Sequence, residues 1–116
     1  MQLQMQVTSE TTSYRTRDGS LEIQFSIIQY PESWRIYVTS PPDYKGRPED
    51  PISTFRIYDE AKGIFFVNWL PTPMSLRAAE AAAIVWSEFT SCYISTGESL
   101  VSQYIHAYSS DQNSEE

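Results

Sequence analysis

The sequence predicts an α+β fold: an antiparallel sheet of about five strands, followed by one long and one shorter C-terminal helix packed on one face. Three observations predict it. Apolar and polar residues alternate with period two through the first half of the chain. The alternating runs are joined by hairpin-length connections, which favour antiparallel neighbours. The one well-marked helical stretch, Pro71 to Gly97, comes after them, and strands followed by helices point to a sheet with helical cover on one side.

Met1, Leu3, Met5 and Val7 alternate with Gln2, Gln4 and Gln6, the pattern of a strand with one dry face. Thr8 to Ser13 is polar and reads as a connection, and Tyr14 to Arg17 leads into Asp18-Gly19, a dipeptide suited to a tight hairpin turn. The return strand sets Leu21, Ile23, Phe25 and Ile27 against Glu22, Gln24 and Ser26, and Tyr30-Pro31-Glu32-Ser33 ends it. Trp34, Ile36 and Val38 alternate with Arg35, Tyr37 and Thr39. The loop SPPDYKGRPEDP, Ser40 to Pro51, is too rich in proline and glycine for strand or helix. Phe55 and Ile57 then oppose Thr54, Arg56 and Tyr58, and Asp59 to Gly63 closes a hairpin. Ile64 to Leu70 is nearly all apolar, as expected of a strand inside the sheet.

For the long helix, Thr72 reads as N-cap, Pro73 as a first-turn residue and Gly97 as the left-handed exit. At about 100° per residue its dry stripe takes in Leu76, Ala78, Ala79, Ala82, Ala83, Val85, Trp86, Phe89, Tyr93 and Ile94. Arg77, Glu80, Ser87, Glu88, Ser91 and Ser95 fall opposite, with Ile84 as an apolar exception among them. Leu100, Val101, Tyr104, Ile105 and Tyr108 recur at helical spacing, although their β-branched and aromatic character leaves a further strand open. Residues 1–108 are expected to form a single domain and 109–116 a disordered acidic tail.

Composition narrows the function classes. Net charge is −7, of which three acidic residues lie in the tail, so nonspecific duplex binding is disfavoured at long range. Cys92 is the only cysteine and His106 the only histidine, which gives no disulfide framework and no thiolate metal site. Glycine-rich phosphate loops and G-x-S-x-G are absent from the sequence. The carboxylate pairs Glu49-Asp50 and Asp59-Glu60 lack further ligands and read as turn residues. With no apolar run of membrane-spanning length, a cytoplasmic location is expected.

The leading expectation is therefore a noncatalytic intracellular binding domain, a small regulatory or inhibitory protein without cofactor or metal, acting through contact with another macromolecule. If Trp34, Ile36, Val38, Phe55 and Ile57 all point to the core, pleating puts Arg35, Tyr37, Arg56 and Tyr58 together on an open sheet face. Two guanidinium groups and two rings suit an acidic peptide, a nucleotide or other phosphorylated small molecule, or single-stranded nucleic acid. Tyr44 and Arg47, on the stiff loop, extend this set, and Glu80, Ile84 and Glu88 mark a separate protein contact on the helix. A protein is the first expected partner, self-association into a homodimer is allowed for, and a membrane is not expected. The second reading is a nucleotide or small-ligand binder, on the sheet face or in a crevice lined by Trp69, Trp86 and Tyr93. An enzyme using His106 comes third.

Overall fold

The computed structural model describes residues 9–113, with side chains as far as Tyr108. The elements are β1 (Ser9–Arg15), β2 (Glu22–Tyr30), β3 (Ser33–Val38), α1 (Pro51–Thr54), β4 (Arg56–Asp59), β5 (Ile64–Val67), α2 (Leu76–Thr96) and α3 (Leu100–Asn113). The strands form one antiparallel sheet in the order β1-β2-β3-β5-β4, followed by the long and the shorter helix. This is the expected α+β arrangement, with the apolar strand β5 inside the sheet and residues 100–108 helical.

The alternating strand expected at Met1 to Val7 lies outside the described residues. Of the stretch Thr8 to Ser13, expected as a polar connection, Ser9 to Ser13 supplies most of β1. It can do so because an edge strand needs one dry face at most: Ser9, Thr11, Ser13 and Arg15 are exposed, while Glu10, Thr12 and Tyr14 turn toward α2. Tyr14 OH donates to Glu88 Oε2 at 2.5 Å, pinning β1 to the helix. The first hairpin turns at Gly19, whose φ of +76° explains the glycine. Asp18 holds that turn, accepting from Thr16 Oγ1, Ser20 N and Ser20 Oγ, and from Ser91 Oγ of the helix. These donors hold its carboxyl down at about 2.

The core lies between the sheet and α2. Ile23, Phe25, Ile27, Ile36, Val38 and Val67 meet Ala79, Ala82, Ala83 and Trp86. The alanines let the helix approach closely, and Trp86, fully buried, packs edge-on against Phe25 and donates its indole N–H to Thr54 O at 2.9 Å.

Two details of α2 differ from expectation. Its N-cap is Ser75, which accepts from Ala78 N, rather than Thr72, because the carbonyl of Pro73 is already used by Trp34 N of β3. Residues 71–74 therefore stay outside the helix. Ser87 and Ser91 are buried, while Ala78 and Val85 of the expected dry stripe are exposed. A serine can return its hydroxyl to the preceding turn, as Ser87 does to Ala83 O, and then packs as a small residue. Gly97 ends the helix as expected, at φ +89°.

The end of the proline-rich loop holds the short helix α1, capped by Asp50, whose side chain accepts from Ser53 N, with Pro51 in the first turn. Phe55 follows in the left-handed conformation, φ +51°.

Candidate functional site

That left-handed residue resets the pleat. Phe55 packs beside α3 against Trp69 and Tyr104, and β4 starts only at Arg56. Arg56 pairs with Val67 and Tyr58 with Phe65, so both point to the helix side of the sheet. Tyr37 and Ile57 are both partners of Phe66, on the other side. Moreover β5 lies between β3 and β4. The four residues expected on one face are thus split: Arg35 and Tyr37 on the open face, Arg56 and Tyr58 on the covered one.

On the open face Arg35 is sandwiched between the rings of Tyr30 and Phe66, at 4.5 and 4.3 Å from their centroids. Tyr37 is not presented to solvent; its exposure is 0%. Its hydroxyl donates to Asp59 Oδ2 at 2.6 Å and is met by Tyr30 OH at 2.7 Å and Arg35 Nη1 at 3.2 Å. Burial and the bond to Asp59 push the phenol upward, and the same bond holds the Asp59 carboxyl below its usual range. Arg35 Nη1 also lies 3.4 Å from Asp59 Oδ2, so the cation is neutralised within the chain. Glu22, on the neighbouring strand, meets Arg15 instead.

On the covered face Arg56 is 5% exposed, stacked on Phe65 at 3.9 Å and Tyr44 at 4.8 Å, and paired with Glu49 at 2.8 Å. Tyr58 is half exposed and leans on Phe65. Tyr44 is buried against Tyr93 rather than presented by the loop, and burial pushes its phenol up to about 12. Arg47 donates from Nε to Ile94 O and lies over Gly97, closing the C-terminal end of α2. Trp69, Trp86 and Tyr93 are all buried members of the core. Glu88 accepts from Tyr14 OH and Arg17 N and is a fastening between α2 and the first hairpin. Glu80 neighbours Glu10, and Ile84 is 42% exposed beside a small hollow over β1. His106 Nδ1 lies 2.8 Å from Glu98 Oε2, and Cys92 Sγ lies 3.6 Å from Thr96 Oγ1.

The structure brings together another set of residues. Residues 70–74 leave the sheet beside α2 and α3 and separate two apolar depressions. One, of about 430 Å³, is lined by Pro51, Ile52, Phe55, Leu70, Val101 and Tyr104, with Asn68 as its one polar side chain besides the tyrosine. The other, of about 400 Å³, lies among Pro71, Met74, Ala78, Ala81, Val85 and Tyr108. No charged residue lines either, among the described residues. Leu70 is 62% exposed, Met74 72% and Ile52 65%. Tyr104 and Tyr108 stack at 4.5 Å and join the two hollows along α3, and Tyr104 OH bonds to Leu70 O. The signal in the sequence was Leu70 and Met74 flanking Pro71-Thr72-Pro73. Taking Thr72 as the helix cap folded Met74 into a first turn and hid it.

Comparison of the chain with family models, with curated proteins and with solved structures gave no match. Among the described residues no helix is long and apolar enough to cross a membrane, and no group of three or more metal-binding side chains occurs.

Proposed function

We propose that the chain is a noncatalytic binding domain that works by contact with another protein, and that its contact surface is the apolar face between residues 70–74 and the two helices. The observation that carries the reading is the continuity of that face. Exposed apolar side chains and two uncharged depressions adjoin one another there, the combination that marks association surfaces rather than scattered exposed residues. Depressions of this size accept an apolar side chain. The arginine and tyrosine residues of the sheet contribute less to binding, because Arg35 is stacked on both sides and paired with Asp59, and Arg56 is paired with Glu49 beneath the helix layer. An internal partnership must be broken before either cation can serve a ligand.

A photo-crosslinking amino acid placed at Met74 and, separately, at Arg35, in cells that make the protein, tests the assignment. Crosslinks to a defined protein from position 74 and none from position 35 are expected. The reverse pattern would return the site to the sheet face.

A further inference from the structure

The same face carries information about what sits on it. It has apolar projections and apolar hollows side by side: Met74 and Leu70 stand out, and the hollow lined by Ile52, Phe55 and Val101 lies just beyond Leu70. Its two ends carry opposite charge. At the α2 end Arg77 stands one turn before Ala81 and two before Val85 on the same helix ridge; it is exposed and has no ion-pair partner among the described residues. At the α1 end Asp50, exposed, immediately precedes Pro51 and Ile52. A two-fold axis across such a strip lays each end on the opposite end of the other copy, so that projections meet hollows and Arg77 approaches the Asp50 of the second chain.

We propose that this face is a homodimer interface, in which Met74 of each copy enters the Ile52–Phe55–Val101 hollow of the other. The proposal rests on the reading of this face as the contact surface and names its occupant as a second copy of the chain. Charge argues for the same face. Two chains of net charge −7 repel over most approaches, and a strip without charged lining, ended by one cation and one anion, is where that repulsion is least. Area is sufficient. Ile52, Leu70, Met74, Val85 and Tyr108 together expose on the order of 600 Å² per copy, or about 1,200 Å² for a pair, the lower bound of specific stable interfaces. Interfaces at the low end of the size range belong with reversible rather than permanent association.

Sedimentation equilibrium over a range of concentrations is the test. The full chain is expected to dimerise, and Met74→Asp to weaken the dimer at least about thirtyfold by placing a carboxylate in an apolar hollow. Leu70→Asp is expected to do the same, and Arg77→Asp to weaken it about three- to tenfold. All three residues are exposed, and unchanged far-UV dichroism verifies folding. On a Cys92→Ser background, oxidising a mixture of Met74→Cys and Ile52→Cys chains is expected to give a mixed covalent dimer, while neither chain crosslinks to itself. A chain monomeric to about 1 mM overturns the proposal. So does a dimer indifferent to Met74→Asp and Leu70→Asp, or one in which Met74→Cys crosslinks only to itself. A monomer that still crosslinks from position 74 to a different protein removes the homodimer and leaves the contact surface standing. A monomer silent at position 74 removes both.

Discussion

Tyr37→Phe takes away one oxygen and tests whether the open sheet face is a structural network or a ligand site awaiting occupancy. In the folded chain that oxygen donates to Asp59 and accepts from Tyr30 and Arg35, out of contact with water. The bond to Asp59 is to a charged acceptor, for which the net contribution is about 1.5–3 kcal/mol. Asp59 keeps Ala61 N and Lys62 N at Oδ1, so the penalty is not that of an isolated anion, and about 2 kcal/mol is expected. With a urea slope of about 1–3 kcal/mol/M, the midpoint falls by roughly 0.7–2 M. The pH dependence adds a second constraint. The folded-state pKa of Asp59 lies below its ordinary value, with the Tyr37 hydrogen bond as the largest cause, so this stabilisation is present above the ordinary carboxylate value and is lost as pH falls through the folded value. The difference between Tyr37→Phe and the parent must therefore shrink in acid. A loss below about 0.5 kcal/mol at neutral pH, or one equal at neutral and strongly acid pH, would refute the network and free this hydroxyl for a ligand.

Trp86→Phe leaves Thr54 O without its donor and opens a void at the centre of the core, and is expected to cost about 3 kcal/mol, seen as a Tm lower by roughly 10–15 °C. Gly97→Ala forces an alanine to φ +89° with its Cβ about 3.0 Å from Arg47 Nη1; about 1–2 kcal/mol is expected, with faster amide exchange in the last turn of α2, and unchanged exchange there would contradict the closing role of Arg47. Glu10 has its carboxyl held above the ordinary value, first by a hydrogen bond with the Glu80 carboxyl, so the folded state favours the protonated form and stability falls as pH rises through that window. Glu10→Gln should accordingly stabilise the protein at neutral pH and not in acid, and denaturant midpoints at the two pH values decide it.

What the sequence disclosed follows from which features are local. Hairpin turns need glycine at set positions, and Gly19 and Gly63 stand where expected, both with positive φ. The alternation in Ile23, Phe25, Ile27, Ile36 and Val38 placed these residues in the core correctly, because strands with one buried face are written at period two. β1 escaped notice since an edge strand covered only by the margin of a helix carries Thr, Ser and Tyr on its inner face rather than an apolar row. Ser87 and Ser91 were assigned to water because a hydroxyl counts as polar in any wheel, although one bonds its own helix and the other Asp18.

The misplaced Arg56 has a more instructive cause. Alternation extrapolates only through extended backbone, and Phe55, at φ +51°, is not extended. Counting across it put every side chain of β4 on the wrong side of the sheet; in the fold Arg56 turns inward to Glu49 and Phe65 and Ile57 faces out. The signal lies just before it in the chain: Asp50-Pro51 followed by Ser53 is a cap, a first-turn proline and a donor, and a short helix there requires an abrupt exit before a strand can begin. That same helix places Ile52 at the rim of the hollow beside Leu70. The element that separates the expected arginine–tyrosine pair is thus one wall of the proposed contact face, and a change confined to α1 is expected to disturb the proposed association before it disturbs the sheet.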